Sequence, residues 1–264
     1  MLTRKVLIGM SIMFLSSNAQ AANLVTNGDF EQNGGLGQIT GGVSYATGWT
    51  SGTPTDATYA FNFIVDSTAD SAGFPSVNTP TAGTNIYLWG PNTPVANGGP
   101  VANGFTGSPT GGDFMGMDGA YATAAISQTM SGLVTGQEYE LSFDWAASQF
   151  TDQTGDTTQS LQVTFGSDVV STTPFDLPGK GFSGWMHYTT TFTAGSSSQI
   201  LSFLAVGSPA GLPPFTLLDG ISLTEKTIPP SPVPEPSSLA LLGLGAIGFA
   251  VRSFSRRRAS QKSL

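Results

Sequence analysis

The chain has 264 residues, of which only 10% are charged, and it contains no cysteine. The lack of cysteine excludes disulfide bonds, thiol nucleophiles and thiolate metal ligands. Residues 22–228 hold sixteen of the seventeen acidic residues but only two of the nine basic ones, Lys180 and Lys226, so their formal charge is −14. So acidic a stretch disfavours nucleic acid and anionic lipid as partners.

The N-terminus has the composition of a secretory signal peptide. A short basic stretch is followed by a largely apolar one at 6–15, and then by Ala19 and Ala21 on either side of a glutamine. This is the order of a positive region, an apolar region and a small-residue cleavage site. We therefore predict that residues 1–21 are a signal peptide, cleaved after Ala21, and that the protein is exported.

The C-terminus combines a proline motif, an apolar segment and a basic cluster. The prolines of residues 229–236 keep this linker extended and outside any sheet. Residues 239–251 are uncharged and would form a helix of about 20 Å, shorter than the roughly 30 Å hydrocarbon core of a bilayer. The residues that carry this pattern are Val233, Pro234, Glu235, Pro236, Arg252, Arg256, Arg257 and Arg258.

This order resembles the PEP-CTERM sorting tail of Gram-negative surface proteins. The resemblance implies that the membrane enzyme exosortase recognises the proline motif and cuts near it. It also implies that residues 237–264, a short transmembrane sorting helix with its arginine tail, pass only transiently through the inner membrane. The mature protein would then belong to the cell surface or the extracellular matrix. A tail anchor that is never cut is the alternative.

The stretch from 22 to 228 predicts one all-β domain. Residues 138–145 alternate strictly between apolar and polar side chains, which is the period of a strand with one buried face. Further strands are predicted at 161–165, 188–192, 199–206 and 221–223. Of these, 199–206 is apolar on both faces, as a central strand would be. Glycine-rich turns separate the strands, and the pattern predicts an antiparallel β-sandwich.

Residues 75–112 differ from the rest, because they are rich in Gly, Pro, Asn and Thr. They contain a direct repeat of five residues, at 94–98 and again at 100–104, which is too short to indicate a repeat fold. We expect a long, mobile insertion loop here, with a short strand at 86–89.

Several short motifs resemble the jelly-roll modules with a galactose-binding-like fold, which include many carbohydrate-binding modules. The motifs lie at 23–31, 48–49, 126–128, 139–143, 184–185 and 218–223. The resemblance implies a structural calcium where the first and last strands meet, with Glu31 and Asp219 at the matching positions. Carboxylates suit calcium. Alternatively, Glu31 is a turn or capping acid and Asp219 a solvated strand end.

Sugar binding requires flat aromatic faces beside hydrogen-bonding groups. Trp49 and Trp185 are predicted to lie in the core, because each follows a glycine at the start of a strand. Trp89, beside a glycine and a proline in the long loop, is expected to be exposed. Tyr87 and Tyr45 are the other candidates for stacking on a ligand.

Catalytic interpretations have less support. Glu138, Glu140 and Asp144 share one strand face, which is permissive for glycoside hydrolysis but is also explained by solvation. His187 is the single histidine, which excludes a multi-histidine zinc site. We therefore expect a non-catalytic domain that binds exopolysaccharide. A structural protein of the envelope or biofilm, or a glycoside hydrolase, is the alternative.

Overall fold

A computed structural model of the chain describes residues 21–40, 44–77 and 85–226. The predicted signal peptide up to residue 20, the linker at 229–236 and all eight sorting residues lie outside these ranges. Every described strand belongs to one compact unit, which ends at Lys226. Within the described ranges no helix is long and apolar enough to cross a membrane.

The described residues form fourteen β-strands and one turn of 3-10 helix at Val95–Asn97. The strands are β1 (Gly37–Gln38), β2 (Thr50–Ser51), β3 (Asn62–Val65), β4 (Phe74–Pro75), β5 (Asn85–Ile86), β6 (Phe114–Asp118), β7 (Ile126–Ser131), β8 (Glu138–Gln149), β9 (Thr157–Phe165), β10 (Asp168–Ser171), β11 (Phe175–Leu177), β12 (Met186–Thr193), β13 (Ser198–Ser208) and β14 (Pro214–Glu225). All strand pairs are antiparallel.

The strands build a two-sheet sandwich. Sheet I has the order β1-β3-β6-β14-β8-β12, and sheet II has the order β10-β9-β13-β7-β2, with β11 also on β9. Strands β4 and β5 form a separate small pair. The predicted antiparallel jelly-roll sandwich is therefore confirmed, and the alternating segment at 138–145 is the first part of β8.

The main core fills the space between the sheets. In β8 the apolar residues of the alternation all face it, with Leu141 and Phe143 fully buried. Trp49 lies in the same core, where its ring contacts Phe30 and Phe203 at centroid distances of 5.6 and 6.0 Å. The predicted core position of Trp49 is therefore confirmed.

Strand β13 is central in sheet II, as predicted, but it is buried on one face only. Phe203 points into the core, whereas Ile200 and Val206 are 56% and 42% exposed. The expectation of two buried faces is wrong, because the outer face of this strand is in contact with solvent.

A second core covers the outer face of sheet I. Phe63, Phe114 and Phe215 point away from the main core and are fully buried by side chains such as Leu88 and Phe105. These covering residues come from the predicted mobile loop. That prediction is corrected for residues 85–112, which fold against the sheet because Leu88, Trp89 and Phe105 are buried there.

The short strand predicted at 86–89 is only partly present. Asn85 and Ile86 form β5, which pairs with β4, and Leu88 forms an isolated bridge with Phe150. The turn that follows brings Trp89 against the repeat. The four-residue strand is therefore interrupted where the chain enters the second core.

The two copies of the five-residue repeat surround Trp89 in different ways. Gly98 closes the first copy with a φ of 108°, and a Cβ added there would lie 2.3 Å from the Trp89 ring. Asn103, in the second copy, donates from Nδ2 to the backbone oxygens of Trp89 and Lys180, at 2.8 and 2.9 Å. The two copies therefore have different structural roles although their sequences are identical.

Candidate functional site

Trp89 does not present its ring to a ligand. It is 2% exposed, its indole nitrogen donates to the backbone oxygen of Gln153 at 2.7 Å, and the Lys180 ammonium lies 4.4 Å from the ring centroid. The expected exposure is therefore wrong. The physical reason is that sheet I leaves an apolar outer face, which the 85–112 segment covers with its own aromatic and aliphatic groups.

Tyr87 and Trp185 are half-buried. Trp185 packs edge-on against Phe114 with centroids 5.2 Å apart, and its indole nitrogen donates to the backbone oxygen of Thr106 at 3.3 Å. Trp185 thus contributes to the second core at its border, which differs from the full burial that was predicted. Neither ring belongs to the cleft that holds Tyr45.

Tyr45 is the predicted candidate that the structure exposes, with 59% of its surface accessible. It lies in a cleft of about 360 Å³ together with Tyr59, which is 43% exposed. Six residues with hydroxyl side chains also line the cleft, namely Thr40, Ser44, Thr50, Ser51, Thr53 and Thr58. The cleft therefore offers aromatic faces and hydrogen-bonding groups together, which is the combination that sugars require.

Local pairing holds Tyr45 in place. Its neighbours Ser44 and Ala46 form isolated β-bridges with Ile39 and Asn33, and its own backbone oxygen accepts from Gly34 at 3.1 Å. A Cβ at Gly34 would come within 2.6 Å of the Tyr45 ring, so a glycine is needed for the ring to lie there.

The base of the cleft is buried and hydrogen-bonded. Trp49 donates from its indole nitrogen to the backbone oxygen of Asn27 at 2.9 Å. The buried Gln38 side chain donates to Ala60 at 2.8 Å and accepts from the amide of Val77 at 2.9 Å. These contacts fix Trp49 and Ala60, which both line the cleft.

Twelve described residues line the cleft, and none of these is charged. This contrasts with the formal charge of −14 on residues 22–228. The cleft is thus a neutral, hydroxyl-rich region in an acidic protein. Tyr59 was not singled out from the sequence, although it lies, like Tyr45, in a stretch rich in small hydroxyl residues.

The two acids predicted to bind calcium hold opposite ends of one loop. Asp219 is fully buried, and its Oδ2 accepts from the Thr110 hydroxyl, while Oδ1 has no hydrogen-bond partner among the residues that the structure describes. Glu31 is exposed, and its Oε1 accepts from the amide of Asp113 at 2.7 Å. The alternative of a solvated Asp219 is therefore wrong, whereas a turn-binding role for Glu31 is present.

These acids fit calcium only in part. The unpartnered Oδ1 of Asp219 is a buried acceptor that a cation would satisfy. Among the described residues, however, no three His, Asp or Glu side chains come close enough together to hold a metal. A calcium ion at Glu31 and Asp219 would therefore depend on backbone oxygens for its other ligands.

Burial raises the pKa of the Asp219 carboxyl to about 6. Hydroxyl hydrogen bonds oppose this change, and the nearby charge of Asp29 adds to it. Burial also raises the pKa of Asp118 to about 6, although its Oδ1 accepts from the amides of Ala120 and Tyr121.

The acidic face of β8 is exposed at Glu138 and Glu140, in agreement with the less specific interpretation, whereas the Asp144 side chain is only 18% exposed. Glu138 forms an ion pair with Lys226 at 3.2 Å, and Asp144 contacts His187 at 2.9 Å. Thr189 lies 3.3 Å from the other ring nitrogen of His187. This is the carboxylate–histidine–hydroxyl order of some hydrolases, but the His187 side chain is 63% exposed, so water surrounds it.

Comparison with known proteins identifies the C-terminal segment. Residues 232–258 match the PEP-CTERM protein-sorting motif. All eight sorting residues predicted from the sequence fall inside this match, which confirms the resemblance. The motif indicates an exported protein with a C-terminal sorting signal. No curated protein matches the chain by sequence.

Solved structures that resemble the chain include carbohydrate-binding modules. TmCBM61, solved with β-1,4-galactotriose, has 11% identity and a TM-score of 0.39, over 78% of this chain and 100% of its own. CBM4 has 14% identity and a TM-score of 0.33, over 76% and 99%. The K3 cleaved adhesin domain of Lys-gingipain from Porphyromonas gingivalis W83 has 10% identity and a TM-score of 0.35, over 78% and 100%. At such identities, a neighbour's ligand does not establish the ligand of this chain.

Proposed function

We propose that this chain is an exported surface protein whose β-sandwich binds carbohydrate, such as an exopolysaccharide, in the cleft between Tyr45 and Tyr59, without catalysing a reaction. The observation that carries the proposal is that two exposed tyrosines and six serine or threonine residues line one cleft. Pyranose rings have apolar C–H faces edged by hydroxyls, so each ring can cover one face while the hydroxyls bond to the edge.

Export and C-terminal sorting are the second part of the proposal. Exosortase recognises the tail at Val233–Pro236, the signal peptide is removed after Ala21, and the domain reaches the cell surface or the extracellular matrix. The tail crosses the inner membrane only during this step. A biofilm or matrix setting would place the cleft among the glycans that it binds.

Affinity electrophoresis tests the binding proposal. The purified protein is run through gels that contain xylan, mixed-linkage β-glucan, galactan, alginate or polygalacturonate. We expect at least one gel to retard the protein, and Tyr45→Ala or Tyr59→Ala to weaken binding about tenfold, or about 1.4 kcal/mol. Tyr121→Ala is the matched control, because Tyr121 is also 43% exposed but lies outside the cleft.

Two results would contradict the proposal. If no polysaccharide retards the protein, the domain has a purely structural role in the envelope or biofilm. If Tyr45→Ala and Tyr121→Ala are retarded as strongly as the unmodified protein, glycan binds elsewhere on the sandwich.

A further inference from the structure

A second cleft lies beside the first, on the other side of β2. It has a volume of about 500 Å³, and Thr50 lines both clefts. The two clefts are thus adjacent at Thr50, whose side chain is small and exposed. We propose that the two clefts form one binding groove and that the groove takes a linear chain of several neutral sugars. This inference rests on the proposed carbohydrate function of the first cleft.

The second cleft exists because β2 is short. Its two residues pair only with Ser127 and Ile126, whereas β7 continues to Ser131. Beyond Thr50 the edge of β7 is therefore not covered by β2. Leu24 and Thr26 of the N-terminal segment form the opposite wall.

Hydrogen bonds fix this opposite wall to β7. Thr26 donates its amide to Oε1 of Gln128 and accepts from Nε2 of the same side chain, both at 2.8 Å. Gly48 also lines the second cleft and has a φ of 81°. A Cβ added at this position would come within 3.1 Å of the Gln128 side chain. The groove is thus preformed, and a glycine keeps it open.

The lining of the second cleft suits a sugar chain. Ser127, Thr129 and Ser131 are the outward-facing residues of β7, and their hydroxyl groups lie on one side of the strand. Ile200 adds an apolar surface that is 56% exposed. This arrangement repeats the combination of hydroxyl groups and apolar contact seen in the first cleft, with an aliphatic group in place of the tyrosines.

The groove has no charged residue among the nine that line the second cleft or the twelve that line the first. A uronic acid or sulfated polymer would approach against the potential of a domain with a formal charge of −14 and would find no cation in the groove. Each cleft alone has the size of a site for one small ligand. Together they fit a neutral chain that continues past Thr50.

The test measures binding as a function of chain length by calorimetry, with the full-length protein in mild detergent. The probes are xylo-, gluco- and galacto-oligosaccharides of about two to about eight units. We expect affinity to rise about tenfold from the shortest probes to about six units and then to level off. In the gels described above, retardation by xylan, β-glucan or galactan should exceed that by alginate and polygalacturonate.

Thr129→Glu isolates the second cleft. The exposed Thr129 accepts the change without disturbing the core, and the new carboxylate should lower affinity for the long probe about tenfold while short-probe affinity stays unchanged. Unchanged short-probe binding also shows that the variant is folded. Thr173→Glu, at an exposed site between β10 and β11, is the matched control and should bind both probes normally.

The outcomes separate this inference from the proposed function. Affinity that does not depend on chain length, or equal long-probe binding by Thr129→Glu and Thr173→Glu, overturns the extended groove while Tyr45→Ala still defines the first cleft. Stronger retardation by alginate or polygalacturonate overturns the neutral ligand. Full binding of every probe by Tyr45→Ala overturns the proposed function itself.

Discussion

Asp219 shows how one buried residue couples stability to pH. Burial raises the pKa of its carboxyl from 3.8 to about 6, so the folded state binds a proton more tightly than the unfolded state does. The resulting stability is fully present below about pH 4 and is lost as the pH rises through about 6. At neutral pH, without a cation, the buried charge is therefore destabilising.

Asp219→Asn should remove the destabilisation that the buried charge causes at neutral pH. In calcium-free buffer at pH 7 we expect the free energy of unfolding to increase, by up to about 3 kcal/mol, with a smaller dependence on pH between about 4 and 6. Chemical unfolding across this pH range measures both effects. Asp168→Asn, at an exposed position, is the control. Lower stability of Asp219→Asn at pH 7 would contradict the explanation by burial.

A bound calcium ion would make the Asp219 charge stabilising instead of destabilising at neutral pH. If the ion binds at Glu31 and Asp219, the melting temperature should rise with calcium and fall with chelator, because a ligand that binds only the folded state stabilises it. Asp219→Asn should abolish the shift, whereas Glu225→Gln should leave it unchanged. Identical melting curves in calcium and in chelator would remove the calcium proposal.

The aromatic candidates show what sequence can and cannot predict about a site. Trp49 is buried as expected and the candidate Tyr45 is exposed, but Trp89, which was expected to be exposed, is buried against the outer side of sheet I. A glycine- and proline-rich segment indicates a turn, but whether its aromatic faces water depends on which sheet face is left uncovered. Which sheet face is uncovered depends on contacts between residues far apart in the chain, so a local sequence pattern cannot predict it.

At the scale of elements, the repeat allows a matched comparison between two glycines. Gly98 and Gly104 are equivalent positions with φ values of 108° and 81°, so alanine is strained at both. Only at Gly98 would the new Cβ meet the Trp89 ring, whereas nothing lies within 4 Å of a Cβ at Gly104. The pair thus separates backbone strain from a packing clash.

We expect Gly98→Ala to destabilise the protein by at least about 1 kcal/mol more than Gly104→Ala does. Denaturant unfolding of the two variants beside the unmodified protein measures the difference. Equal losses would show that the first repeat copy does not pack on Trp89, and the second core would then need another explanation.

Strands were predictable where apolar and polar residues alternate along the sequence. Strand β8 has one solvent-exposed and one buried face, so apolar and polar residues alternate in its sequence. Strand β6, with the sequence Phe-Met-Gly-Met-Asp, is buried on both faces and shows no alternation, so it was missed. The two-residue strands β1, β2 and β4 are too short to have a period, although β2 is the strand that defines the groove.

At the scale of the whole molecule, both ends of the chain are interpreted as routing signals. Mass spectrometry of the protein from producing cells should find a chain that begins at Ala22 and ends near Pro234–Pro236. Cells without active exosortase should retain the C-terminal segment through Leu264. The same C-terminus in both strains would contradict processing by exosortase, and an intact N-terminus would contradict the signal peptide.

The covering of one sheet face explains where a ligand can bind. The second core occupies much of the outer side of sheet I, whereas the outer side of sheet II and its edge at β2 and β7 stay accessible. The neutral clefts lie at this accessible edge, and the acidic residues are distributed over the rest of the domain. The proposed groove therefore lies on a part of the domain that the second core does not cover.

A crystal structure of the protein with a neutral hexasaccharide of the retained polysaccharide tests the central claim most directly. The account predicts one sugar ring stacked on Tyr45 or Tyr59 and a chain that passes over Thr50 toward Thr129. A sugar bound instead on the β8–β12 face, beside Asp144 and His187, would contradict it.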